Sequence, residues 1–203
     1  FQTRRGDLKK KTKMKEINVK ELFSLAPKPY KDGKIWSDAF SFALNNYDKI
    51  VIPEGRYYID KPLVVSSTTE IIAEEKAEII LVKGTKTLLL RNESVIDGSN
   101  EKIPSDAPVD LNISVCGGVW GEENEERLGY GASGCYDENN SFAGVSTCFL
   151  FSGVENLTLK NLVFRSTAGF ACQLGRVNGF TIENIRFEKC FADGLHINGG
   201  VKN

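Results

Sequence analysis

The feature that most constrains this chain is a segment that repeats itself. Val154-Glu-Asn-Leu-Thr-Leu-Lys-Asn-Leu-Val-Phe164 returns as Val177-Asn-Gly-Phe-Thr-Ile-Glu-Asn-Ile-Arg-Phe187, a shift of 23 residues. Leu157, Leu159, Leu162 and Phe164 superpose on Phe180, Ile182, Ile185 and Phe187, and Asn161 superposes on Asn184. On each side of the Asn the apolar residues alternate as in a strand with one buried face, and the phase breaks across it. Two strands joined by a sharp bend fit that pattern, because Asn tolerates left-handed backbone angles and can hydrogen-bond to its copy one repeat away.

A fixed period separates stacked repeats from a sandwich or a barrel, whose strands do not repeat their own residue pattern. Asn112-Ile-Ser-Val-Cys-Gly-Gly-Val-Trp120 fits the same frame, and Phe149 and Phe151 match Cys172 and Leu174, then Leu195 and Ile197. Upstream, residues 50–120 read as short Val/Ile/Leu strands broken by turns. The expected fold is therefore all-β, a parallel β-helix solenoid with rungs of about 23 residues. The one helical pattern, Trp36 to Asn45, places Trp36, Phe40, Ala43 and Leu44 on a single face and predicts a short capping helix over 36–45. The stretch 121–144, rich in Gly and acids with Tyr130, Tyr136 and Phe142 among them, predicts a protruding loop that either walls a groove or has no role.

Charge divides the chain. Residues 1–34 hold eleven Lys/Arg against four Asp/Glu, so the rest carries the balance of the net -1, which is -8. A basic leader or disordered arm is expected over 1–29, with a single domain over 30–203. An acidic body disfavours nucleic acid and polyanionic ligands, and no apolar run approaches the ~20 residues of a bilayer span, so neither nucleic acid nor membrane is an expected partner. Five cysteines form no Cys-x-x-Cys pair and His196 is the lone histidine, so no metal site and no cofactor are expected. Cys148, Cys172 and Cys190 read as buried free thiols, and a Cys116–Cys135 bridge stays open for a secreted chain.

The segment from Asp32-Gly-Lys through the helix to Ile50-Val-Ile-Pro-Glu-Gly-Arg-Tyr-Tyr-Ile59 resembles the N-terminal cap of the pectate-lyase-like right-handed β-helix superfamily. Asn112 to Gly121 and Phe149 to Phe187 resemble consecutive rungs of glycoside hydrolase family 28, the polygalacturonases and their relatives, and the likeness runs from about residue 30 to the end. That family carries an Asn-Thr-Asp-Gly motif after such rungs, then an Asp-Asp pair and a Gly-His-Gly on later ones. Here the matching stretch is Phe191-Ala-Asp-Gly-Leu-His-Ile-Asn198, with Asp193 and Gly194 on the motif's Asp and Gly, and Phe191 and Ala192 in place of its Asn and Thr.

The resemblance implies inverting hydrolysis of a uronate-containing or related polysaccharide or oligosaccharide. Such chemistry needs two carboxyl groups roughly 6.5–9.5 Å apart, so that a water fits opposite the leaving group. Asp193 would help to activate the water. The second acid and the other motifs would fall beyond Asn203, so these 203 residues are expected to be inactive by themselves and to self-associate through an open β-helix end. By strand alternation His196 and Gln173 point outward in one column, and they, with Arg176, are the candidate substrate contacts. A secreted or periplasmic location is expected. Other readings stay open: Asp193 as a plain Asp-Gly corner, a non-catalytic carbohydrate-binding or tail-fibre β-helix, and a polysaccharide lyase or epimerase.

Overall fold

The computed structural model describes residues 14–85, 87–95, 109–123 and 147–197. In chain order these form β1 (Glu16–Asn18), a 3-10 helix (Val19–Leu25), β2 (Pro29–Tyr30), β3 (Gly33–Lys34), α1 (Ser37–Asn46), β4 (Lys49–Ile52) and β5 (Gly55–Ile59). There follow β6 (Leu63–Val65), β7 (Glu70–Ala73), β8 (Ala77–Leu81), β9 (Leu90–Asn92), β10 (Asp110–Cys116) and β11 (Val119–Glu122). Last come β12 (Thr147–Lys160), β13 (Val163–Arg165), β14 (Phe170–Glu183), β15 (Arg186–Glu188) and β16 (Leu195–Ile197).

Parallel pairing dominates. One sheet runs β1-β4-β7-β10-β12-β14-β16, with β9 beside β12 and β6 beside β9; a second runs β15-β13-β11-β8-β5. Apolar residues line up in register across each sheet: Ile50, Ile71, Val115, Leu159 and Ile182 in the first, and Tyr57, Ile79, Trp120, Phe164 and Phe187 in the second. Most of these side chains are fully buried, so the core lies between the sheets. The repeat read from the sequence is a true pairing, since Leu157, Leu159 and Val154 sit opposite Phe180, Ile182 and Val177. Asn161 and Asn184 both adopt left-handed angles, with φ of 56° and 53°, and Nδ2 of Asn184 donates to Oδ1 of Asn161 at 2.8 Å. Asn156 donates to Asn112 in the same way at 3.1 Å.

An all-β, right-handed parallel β-helix of uniform 23-residue rungs, however, does not describe this chain. Paired residues are offset by 21 between Ile50 and Ile71, 22 between Tyr57 and Ile79, 41 between Ile79 and Trp120, and 44 between Ile71 and Val115. The 23-residue offset holds only from β12 onward. Two helical segments and an antiparallel pair, β2 with β3, precede the second sheet, so the architecture is mostly β with helices and mixed sheets. The physical reason is local: Ser37–Asn46 carries an apolar face of helical spacing and closes the core end, where Trp36 and Phe40 pack edge-on against Tyr57 at 5.1 and 5.8 Å. A repeat visible in one stretch does not oblige the rest of the chain to follow it.

Within the stretch read as a leader over 1–29, β1 pairs with β4 and Asn18 caps the 3-10 helix by accepting from the Lys20 N–H at 2.9 Å. Residues 1–13 lie outside the described residues, as do Cys135 and positions 124–144 of the loop expected over 121–144. Among the described residues, no helix is long and apolar enough to cross a membrane.

Candidate functional site

The chain turns through 189–194 before β16, and this turn presents the motif residue. The Ala171 N–H donates to the Asp193 carbonyl and the Cys172 N–H to that of Gly194, each at 3.0 Å, so the parallel ladder begins ahead of the strand itself. Gly194 is required there, because a Cβ would lie 2.8 Å from the Phe187 ring. The Asp193 side chain is exposed at 63%, and its Oδ2 sits 3.1 Å from Nδ1 of His196. The imidazole is stacked on Phe170, with 4.1 Å between centroids and 5° between planes. With its proton on Nδ1, the imidazole donates to the Asp193 carboxylate.

The other expected contacts are arranged differently. Gln173 is in register with His196, yet its side chain is 2% exposed and its Oε1 accepts from the Thr147 hydroxyl at 3.2 Å. Arg176 lies beyond the last β14–β16 pair, Leu174 with Ile197, at a bend where its φ is 51°. Asp193 and His196 are thus brought into contact with each other, while Gln173 serves the wall beneath them.

A second constellation lies on the outer face of the β15-β13-β11-β8-β5 sheet; the sequence offered Arg165 and Arg186 as candidate partners for an acidic sugar, but not the acids that pair with them. Arg56 pairs with Asp32 and, at 2.8 Å, with Glu78; Arg165 pairs with Glu78 at 3.2 Å and with Glu188 at 2.8 Å; Arg186 also reaches Glu188 at 2.8 Å. The signal was present, since Arg165 and Glu188 are in register one 23-residue shift apart. The turn between β2 and β3 folds over this face. Tyr30 and Lys31 bind Glu123 at 2.7 and 2.6 Å, and the Tyr58 hydroxyl donates to Asp32 at 2.6 Å. Lys31 and Tyr30 hold the Glu123 carboxyl below its ordinary range against the opposing effect of partial burial. Between the turn and Arg165 lies a groove of about 560 Å³ whose lining includes Ile80, Val119 and Gly121.

Glu122 points the other way, in register with buried Leu81, and is 7% exposed. Burial pushes its carboxyl up from 4.5 to about 7, and the one hydrogen bond that opposes the shift comes from the Ala168 N–H at 2.7 Å. The folded state therefore holds a proton that the unfolded chain releases near its ordinary value. Stability contributed by this group is complete below pH ~4.5 and declines as pH rises toward ~7. Glu122→Gln should be more stable than the parent at pH 8, by about 2–3 kcal/mol, and lose that advantage at pH 4. Urea denaturation at the two pH values measures it, and equal differences at both would contradict a buried neutral acid.

No family model matches the chain, and no curated protein matches it. Several solved structures resemble it, three of them as follows. Two are of PfbA, a surface adhesin of Streptococcus pneumoniae, with TM-scores of 0.57 and 0.59, each at 20% identity. They cover 85% and 86% of this chain, which spans only 38% and 42% of theirs. The third is a protein of Parabacteroides merdae ATCC 43184, described provisionally as a glycosyl hydrolase, with a TM-score of 0.61 at 11% identity over 93% of this chain and 89% of its own. Likeness at such identities concerns the fold, and none of it extends to the polygalacturonases in particular.

Proposed function

We propose that the chain belongs to a glycan-hydrolysing protein in which Asp193 is the carboxylate that activates water and His196 orients it. The observation that carries this reading is the exposed Asp193 carboxylate held 3.1 Å from the imidazole of His196, itself fixed by stacking on Phe170. An imidazole that donates to the carboxylate keeps one oxygen aimed outward, toward a bound water. Inversion requires a second carboxyl group across the scissile bond, and that acid would come from outside the described residues. The provisional glycosyl-hydrolase description of one structural relative agrees with this reading.

A second reading, glycan binding without hydrolysis, is favoured by one observation: two of the solved structures that resemble the chain are of a surface adhesin. Release of reducing ends from a panel of polysaccharides separates the two. Hydrolysis predicts new reducing ends that fall roughly a hundredfold or more in Asp193→Asn. Glycan binding with no new reducing ends would leave only the second reading, and activity unchanged in Asp193→Asn would remove Asp193 from the mechanism.

A further inference from the structure

Neither Asp193 nor His196 lines the groove beneath the β2–β3 turn, and the chemistry assigned to that pair does not use it. We infer that it binds a neutral oligosaccharide: the charged groups around it balance one another and are already paired, and they stand over an apolar floor. The proposal takes its ligand class from the glycan reading above but does not depend on Asp193.

Three observations carry it. The first is size and shape. At about 560 Å³ the groove falls within the roughly 300–1,000 Å³ of small-molecule sites. Its lining includes Ile80, Val119 and Gly121, so a flat strip without bulky polar side chains is available to the C–H face of a sugar ring. Position 121 admits glycine alone, because a Cβ there would fall 2.2 Å from the Arg165 carbonyl oxygen.

The second is charge. Lys31, Arg56 and Arg165 face Asp32, Glu78 and Glu123 around the rim, three cations against three anions, and the fourth acidic residue of the lining, Glu122, has its side chain buried in the other direction. Each cation is already committed: Lys31 to Glu123, Arg56 to Asp32 and Glu78, Arg165 to Glu78 and Glu188. A uronate carboxylate would have to displace one of these ion pairs. A sugar hydroxyl would not, since it donates to a spare carboxylate lone pair and accepts from a spare guanidinium N–H at the same time. Vicinal hydroxyls therefore match the rim where acids do not.

The third is preorganisation. The wall is a two-strand turn pinned at Tyr30 and Lys31 to the end of β11 through Glu123, and at Asp32 to β5 through Arg56 and Tyr58. Side chains fixed before binding lose little freedom when a ligand arrives. Successive strands lie roughly 4.8 Å apart, close to the length that one pyranose adds to an extended β-linked chain. An oligosaccharide crossing the strands would thus meet Arg56 on β5, Glu78 on β8, the Val119–Gly121 strip on β11 and Arg165 on β13.

Isothermal titration of the full chain tests this, with neutral hexasaccharides of glucose, xylose and mannose and with a hexagalacturonate. At least one neutral hexasaccharide should bind more tightly than the hexagalacturonate. Glu78→Gln and Arg165→Gln should weaken that binding at least tenfold, whereas Asp38→Asn, in an exposed ion pair with Lys61 elsewhere, should not. Should either ladder variant fail to fold by circular dichroism, Ile80→Trp fills the groove without breaking an ion pair and should abolish binding. Asp193→Asn should retain binding even where it abolishes release of reducing ends, which separates this proposal from the hydrolytic one. Preference for the hexagalacturonate, no binding by any hexasaccharide, binding unchanged in both Arg165→Gln and Ile80→Trp, or binding lost in Asp193→Asn would each overturn it.

Discussion

Trp120→Ala should lower the free energy of unfolding by about 3–5 kcal/mol, as removal of a fully buried indole does in a core that cannot collapse around the gap. Trp120 has no exposed surface and stands in register between Ile79 and Phe164. Its ring meets Phe149 edge-on at 5.0 Å, and Phe149 in turn meets Phe164 at 4.9 Å and Phe151 at 6.1 Å. These rings come from three strands of two sheets, so no single backbone shift can close the space. The indole Nε1 also donates to the Gly117 carbonyl at 2.9 Å. Trp120→Phe separates the contributions: it keeps aromatic volume but leaves that carbonyl without its donor, a loss of about 1–2 kcal/mol. Urea denaturation of both variants is the measurement. A cost below about 1 kcal/mol for the alanine variant would mean that the sheets are not packed as described.

Gly117→Ala should be comparably severe, for a reason of backbone rather than of packing. Gly117 has φ of +79°, where an L-residue costs about 1–2 kcal/mol, and its added Cβ would lie 2.0 Å from the Ala73 carbonyl oxygen. The neighbouring layer must therefore move. That layer carries the pairing of β7 with β10, and the Gly117 N–H itself donates to Lys160 at 2.9 Å. The expected total is about 3 kcal/mol or more once the displaced contacts are included. Gly84→Ala is the internal comparison, since Gly84 has φ of +85° but nothing within 4 Å of the added Cβ. It isolates the conformational cost, so its effect should stay near 1 kcal/mol. Equal melting-temperature losses in the two variants would show that the approach of Ala73 is not what restricts position 117.

The strand layers from β12 onward were legible because their information is local and periodic. Alternation fixed which of Leu157, Leu159, Phe180 and Ile182 face inward, and the Asn161–Asn184 match located the bend. The same reading failed as a description of the whole chain. It extended the spacing of residues 147–197 to a region where the offsets are 21, 22, 41 and 44 residues and helices intervene. A strand of three residues such as Glu16–Asn18 offers too few positions for alternation to register, and its basic surroundings masked it. At the site, the nearness of Asp193 to His196 follows from a turn that sequence spacing does not encode, whereas burial of Gln173 depends on what covers its face. The ladder of Arg56, Glu78, Arg165 and Glu188 went unread because charged residues were weighed as a regional sum rather than tested for the same spacing as the apolar ones.

That ladder bears on errors of assembly. Parallel strands of similar apolar pattern can pair with the wrong neighbour at little cost in buried surface, either within one chain or between two copies. Along the stacking direction outer charges of opposite sign face one another, Arg56 of β5 with Glu78 of β8 and, past uncharged Val119 and Gly121 of β11, Arg165 of β13 with Glu188 of β15. A displacement by one strand would part Arg56 from Glu78 and Arg165 from Glu188, so a mispaired arrangement forfeits ion pairs that the correct one makes. The discrimination is electrostatic and exposed, hence weakened by salt. Refolding yield should therefore depend on ionic strength more steeply than the stability of the finished protein does.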